Sequence, residues 1–150
     1  IDQLAQECAM RWVPMALEKN IDLGFEGSAT QTLIRGDAAS LTEMLGNLID
    51  NAIRYTKPDG NITISVAEEQ NKVVLRVEDN GPGIAQNHRE RVFERFYRVL
   101  GSGQSGSGLG LAIVAEVAKR HGAEITLEQG TKGVGTLFSI YFQPAKFAKG

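Results

Sequence analysis

Glu43, Asn47, Asn51 and Arg54 are separated by four, four and three positions. Residues three and four apart are neighbours on a helical surface. A carboxylate, two amides and a guanidinium in one column could hold a metal-bound phosphate chain. Asn oxygen is a ligand for Mg²⁺, a hard cation that takes oxygen and keeps water, and Arg54 would neutralise phosphate charge. The same column also reads as a solvated helix face. Ser40-x-x-Glu43 further matches a capping box, which would give Glu43 a purely structural task.

A second group is Asp79-Asn80-Gly81-Pro82-Gly83. Asp79 shares the parity of Val73, Leu75 and Val77, so it ends a strand facing their buried side. A carboxylate there costs several kcal/mol unless it is paired or hydrogen-bonded. One partner would be an exocyclic amine such as adenine's, with Gly81 and Gly83 letting a planar base approach the backbone. The alternative is an Asx-turn, in which the Asp bonds its own backbone. A third group is the loop Gly101 to Gly108 running into a helix. Gly106-Ser107-Gly108-Leu109-Gly110-Leu111 offers unpaired amides at a positive helix end, a cradle for phosphate. A bland flexible linker is the competing reading.

Some patterns mislead. Gly101-Ser102-Gly103-Gln104-Ser105-Gly106 matches G-x-G-x-x-G, yet a dinucleotide fingerprint needs a preceding strand, and Val92 to Val99 reads as a helix. No G-x-x-x-x-G-K-[ST] occurs, and His88-Arg89-Glu90 is not the H-R-D of protein Ser/Thr kinases. His88 and His121 read as surface or capping histidines, Trp12 as core or an interface anchor, and Cys8 as a small buried apolar residue.

The elements that must position these groups are legible in the periodicity. Residues 2–19 predict an amphipathic helix with Leu4, Cys8, Met15 and Leu17 among its apolar positions and a breaker at Pro14. Short strands are expected at 21–25 and 32–35. The 38–54 helix is the clearest, with Leu41, Met44, Leu45, Leu48, Ile49, Ala52 and Ile53 in one stripe. Period-two strands follow at 61–67 and 73–79, joined as a hairpin through Glu68–Lys72. A short helix is expected at 88–97, then a helix over 109–121 stopped by Gly122, then strands at 124–129 and 136–142. The fold class expected is an α/β (α+β) two-layer sandwich. It would have a mixed, mostly antiparallel sheet of about five strands and about three helices on one face.

Composition bounds the rest. At 150 residues the chain is one ordinary domain. Its 16 Lys and Arg against 18 Asp and Glu lack the basic excess of a nucleic-acid binder. One cysteine forms no internal disulfide. No apolar run approaches the roughly 18 residues that span a bilayer, so no membrane contact by this domain is expected. The abrupt helical start predicts a piece of something longer.

Taken together, the boxes resemble the catalytic ATP-binding domain of bacterial two-component sensor histidine kinases. This is the superfamily shared with type II topoisomerases, ninety-kilodalton heat-shock chaperones and mismatch-repair ATPases. Glu43 to Ala52 resembles the N box, Asp79 to Ile84 the first glycine box, and Phe93 to Arg98 the F box. Gly106 to Leu111 resembles the second glycine box, and Gly133-Val134-Gly135-Thr136 the last. The resemblance covers almost the whole chain, in the family's order.

It implies ATP and Mg²⁺, with Asn47 holding the metal and Asn51 and Arg54 contacting phosphate. Tyr55 would pack on adenine or ribose. Asp79 would read the adenine amino group, with Thr136 supporting a nearby water. Glu43 would assist catalysis by polarising the accepting imidazole. Gly81, Gly83, Ile84, Phe93, Arg98, Gly106, Gly108, Leu109, Gly110 and Leu111 would complete the nucleotide site, with 97–108 as its lid.

The implied reaction moves the γ-phosphoryl group to a histidine on a separate dimerisation domain, then to an Asp of a response-regulator receiver domain. Neither His88 nor His121 has the context of that acceptor, so residues 1–12 would be a trailing linker from it. The implied location is cytoplasmic, in a parent anchored in the inner membrane. The rival readings are a non-enzymatic ATP-gated binding module, a chaperone- or mismatch-repair-type ATPase, and an anti-sigma Ser kinase.

Overall fold

The computed structural model describes residues 1–28, 32–95, 97 and 109–145. Five strands form one sheet in the order β1-β2-β3-β5-β4. They are β1 Asp22–Glu26, β2 Asn61–Glu69, β3 Lys72–Asp79, β4 Glu124–Gln129 and β5 Thr136–Phe142. Among the described residues only the β1–β2 pairing is parallel. Three helices, α1 Asp2–Glu18, α2 Ala38–Tyr55 and α3 Gly110–Arg120, cover one face, and α2 packs against both of the others. This is the expected two-layer sandwich with a mixed, mostly antiparallel sheet.

The core is the α2 stripe pressed on alternating strand residues. Met44, Leu45, Leu48 and Ile49 meet the face made by Ile62, Ile64, Val73, Leu75, Val77, Phe138, Ile140 and Phe142. Each such large side chain contributes about 1.5–3 kcal/mol on burial. The β2–β3 register places Val66 opposite Leu75 and Ile62 opposite Asp79, so the parity that buries the valines also buries that carboxylate. Gln70 and Asn71, both at positive φ, make the tight hairpin turn.

Four expectations are corrected. α1 runs through Pro14, which sits on the exposed side. The break of about 3 kcal/mol expected there is offset because Ala5, Cys8, Ala9 and Ala16 are buried. Met15 and Leu17 are exposed, at 47% and 66%, because small residues rather than large ones face α2. The Trp12 indole lies 3.4 Å from the Cβ position of Gly46, so the two helices approach closely. The 32–35 segment is no strand. Its Thr32 N–H bonds the Asp2 side chain at 3.4 Å, and Leu33 receives one ladder-like bond from Ala145.

Among the described residues of 88–97 the expected α-helix is replaced by two 3₁₀ turns, Gln86–His88 and Arg91–Phe93. Val92 is buried and Phe93 packs edge-on against Phe138, so the second turn is held by tertiary contacts, and helices this short are marginal by themselves. Gly122 does end α3, at φ +63, with Gly122 N–H on Lys119 and Ala123 N–H on Ala118. Among the described residues no helix is long and apolar enough to cross a membrane.

Candidate functional site

The polar column stands on α2, whose start is fixed by Asp37. This residue is extended, and its carboxylate accepts from Ser40 N–H at 3.2 Å and Ser40 Oγ at 2.5 Å. Asp37 rather than Ser40 is therefore the N-cap, the Ser40–Glu43 capping box is not formed, and Glu43 is left exposed on the column. His121 ties this end to α3, accepting from Asp37 N–H at 3.1 Å through Nε2 while Nδ1 lies 2.8 Å from the Val117 carbonyl. That is the capping histidine the sequence predicts. At the other end of α2, Lys19 Nζ donates to the Ile53 and Arg54 carbonyls, both at 2.9 Å. A cation on exposed helix carbonyls complements the dipole there. The sequence holds no local signal for this contact, because its partners are more than thirty positions apart.

Asn47, half-buried, faces the start of α3. Its Oδ1 is 3.4 Å from the Cβ position of Gly110, so a glycine there leaves the amide oxygen beside the helix entrance. The N-cap position of α3 is Leu109, whose apolar side chain makes no cap hydrogen bond. The column thus leads to a positive helix terminus. Asn51 and Tyr55 follow, both half-buried, and Arg54 pairs with Asp50 through Nε at 3.1 Å. A pair this exposed, with side chains at 41% and 30%, contributes well under about 1 kcal/mol. It can open for another anion at little cost.

Asp79 is 6% exposed and stands opposite Thr136 in the β3–β5 ladder. Its Oδ1 accepts from Gly81 N–H at 2.9 Å, so the Asx-turn read from the sequence is formed. The Thr136 backbone N–H also donates to the carboxylate. Burial dominates nonetheless and pushes the carboxyl pKa up to about 6, the neighbouring Glu78 charge adds to the rise, and the two N–H groups pull against it. A buried acid with two fixed donors and an upshifted pKa is poised to accept a further hydrogen bond.

The glycines let the backbone close on this carboxylate. A Cβ at Gly81 would lie 2.8 Å from the Tyr55 carbonyl, joining the end of α2 to the 79–83 turn. Gly83 and Gly135 both take φ +80, and a Cβ on Gly135 would overlap the Asp79 carbonyl. Both positions require glycine. Glu78, unnoticed in the sequence, braces the loop beyond by accepting from Thr131 N–H at 2.6 Å and its Oγ at 2.9 Å.

Ile84 is half-buried against the core, and its carbonyl receives Arg89 Nε at 3.1 Å. Phe93 meets Phe138 edge-on at 6.1 Å. His88 is no cap: its Nδ1 bonds the Tyr97 hydroxyl, over whose ring Arg91 stands at 4.6 Å. Leu109, Gly110 and Leu111 open α3, half-buried. Arg98, Gly106 and Gly108 lie outside the described residues. The structure thus brings the N-box column, the first glycine box, Thr136 and the start of α3 to one end of the sandwich. The 710 Å³ groove bordered by Glu26, Ser65, Glu68 and Arg76 is a separate feature at the β1 edge.

Residues 36–146 match the family model described as Histidine kinase-, DNA gyrase B-, and HSP90-like ATPase. The swarming motility regulation sensor protein RssA of Serratia marcescens is 40% identical over 139 residues, covering 89% of this chain and 29% of its own length. The chain therefore spans under a third of that curated relative. Among solved structures, a mycobacterial sensor histidine kinase MprB superposes with TM-score 0.83 at 27% identity, covering 97% of this chain and 95% of that one. Full-length ShkA in complex with AMPPNP superposes with TM-score 0.84 at 30% identity, covering 98% of this chain and 30% of that one. With the family model matching residues 36–146 and the fold shared with sensor kinase catalytic domains, this chain belongs to the histidine kinase, gyrase B and HSP90-like ATPase family, as a catalytic ATP-binding domain of the sensor histidine kinase type.

Proposed function

We propose that this domain binds Mg²⁺–ATP between α2 and the 79–83 turn. There it presents the γ-phosphoryl group to a histidine of a separate dimerisation domain, for relay to an Asp of a response-regulator receiver domain. The observation that carries the reading is the buried Asp79 carboxylate at the strand end, with Gly81 and Thr136 N–H groups holding it. An acceptor so placed takes the adenine amino group, and the glycines at 81, 83 and 135 let the backbone close around it.

The donor set suits the metal. Asn47 offers a neutral amide oxygen beside the α3 entrance, the kind of ligand Mg²⁺ accepts while keeping its waters. When bound, the ion would supply charge neutralisation along the phosphate chain. Asn51 and Arg54, freed from Asp50, would hold phosphate oxygens. Tyr55 would pack on adenine or ribose, and the Thr136 hydroxyl would hold a water beside the base. Leu109 to Leu111 would offer backbone N–H groups to the phosphates, with Arg98, Gly106 and Gly108 from the lid. Glu43, exposed one turn from Asn47, would orient the incoming imidazole and draw on its proton. Phosphoryl transfer asks for this kind of positioning and charge neutralisation more than for covalent help. The parent would be a sensor anchored in the inner membrane, with this domain on its cytoplasmic side.

Titration calorimetry with the non-hydrolysable analogue AMPPNP and Mg²⁺ tests the binding, and radiolabelled ATP with an added acceptor domain tests the transfer. Phosphate release with no labelled histidine would favour an ATPase of the chaperone or mismatch-repair type. Binding with neither product would leave an ATP-gated module.

A further inference from the structure

Thr56 ends α2 and is wholly buried, yet its hydroxyl has no hydrogen-bond partner among the described residues. Folded proteins leave few such groups, because an unpaired buried hydroxyl forfeits its bonds to water. The other described example, Thr126 on β4, pairs in register with Ser139, on the sheet face away from the helices. Thr56 instead stands against the turn that carries Asp79. The Cβ position of Gly81 is 3.3 Å from Thr56 Cα and 3.1 Å from Asp79 Oδ1. On the other side, a Cβ at Gly60 would overlap Thr56 Cγ2.

Two glycines therefore let two chain segments close on one threonine, and the methyl group packed at Gly60 fixes its χ1. Four oxygens from residues not adjoining these glycines lie against the two points, and three of them, Asp79 Oδ1, Lys57 O and Asn80 Oδ1, already accept one N–H each. Tyr55 O and Asp79 Oδ1 lie 2.8 and 3.1 Å from the Gly81 position, and Lys57 O and Asn80 Oδ1 both lie 2.8 Å from the Gly60 position. Each such oxygen has two lone pairs, while the hydroxyl has a single proton. A water adds two protons and takes the hydroxyl's own, which satisfies more of these atoms than the threonine can alone.

We propose that Thr56 is a positioning residue for the base pocket. Its hydroxyl anchors one buried water that bridges to oxygens of the 79–83 turn and holds the Asp79 carboxylate in its recognition geometry. The proposal rests on the reading of Asp79 as the group that recognises adenine. Thr56 touches no ligand itself, so its effect is on affinity and base preference rather than on chemistry.

The test compares Thr56→Val, isosteric but without the hydroxyl, with Thr56→Ser, which keeps it. ATP and GTP affinities are measured by calorimetry on the 150-residue chain, and stability by urea unfolding. The expected result is a loss of about tenfold in ATP affinity for Val. ATP-over-GTP preference should shrink with it, and Ser should stay within about twofold of wild type. Wild-type affinity in Val together with raised stability would overturn the proposal, since the hydroxyl would then be only a penalty. Equal losses in Val and Ser would also overturn it, by assigning the effect to methyl packing. Should Val fail to fold, Thr56→Ala against Thr56→Ser removes the methyl from both and isolates the hydroxyl. Asp79→Asn with undiminished ATP affinity would refute the reading beneath the proposal, independently of Thr56.

Discussion

Asp79→Asn is expected to stabilise the domain while impairing nucleotide binding. The carboxyl pKa is about 6 in the folded chain against 3.8 for the ordinary group, chiefly because burial disfavours the charge. The folded state therefore holds the proton more tightly. Relative to the ionised form, that preference is fully present below pH 3.8 and lost as pH rises through about 6. A shift of about two units corresponds to roughly 3 kcal/mol at neutral pH. Asn removes the charge but keeps an oxygen that can accept from Gly81 N–H. Its new N–H₂ lacks an assured partner, so a gain of about 1–3 kcal/mol is expected at pH 7.5. Urea unfolding of both proteins at pH 7.5 and pH 4 measures it, and the difference should fade toward the lower pH. Nucleotide affinity should drop roughly 10- to 100-fold, the worth of a hydrogen bond to a charged acceptor. A pH-independent stability difference would refute the burial argument, and unchanged ATP affinity would refute the recognition role.

Other outcomes follow from the same geometry. ATP affinity of the wild type should decline below about pH 6 more steeply than that of Asp79→Asn, because the carboxylate must be ionised to accept two or more N–H groups; parallel profiles would count against it. Asn47→Ala should weaken AMPPNP binding in Mg²⁺ but hardly at all in EDTA, and equal losses in both would remove the metal role. Gly135→Ala should cost more than about 2 kcal/mol in urea unfolding, since φ +80 and the Asp79 carbonyl both exclude a methyl. Burial tends to raise the Asp2 carboxyl, but hydrogen bonds from Thr32 and Ser28 outweigh it and hold it below 3.8. Its stabilisation is present above pH 3.8 and lost as pH falls through the lower folded value, so Asp2→Asn should show a shallower acid slope in unfolding.

Local periodicity carried most of the fold. The α2 stripe and the strand alternation at 61–67, 73–79 and 136–142 were legible because each buries one face, and burial imposes its own spacing on the residues. Short segments held by distant contacts carry no such signal: residues 86–88 and 91–93 coil as 3₁₀ turns, and Thr32 bonds Asp2 where a strand would pair with a neighbour. Small residues at Ala5, Ala9 and Ala16 misled the reading of α1, since close helix approach selects them where a hydropathy stripe would select leucines.

For the site, the sequence by itself determined which residue types were available and their order: an α2 polar column, an acid ending a buried parity, and glycines at turns. Only the tertiary structure decided that these meet. It set Asn47 beside Gly110, closed Gly83 on Gly135, and put Lys19 on the last carbonyls of α2. It also gave the N-cap to Asp37 instead of Ser40 and left the Thr56 hydroxyl without a partner among the described residues. The reason is physical: propensity and periodicity act over a few residues, whereas packing joins segments tens of positions apart. Whether a buried polar group is satisfied depends on which segments those are.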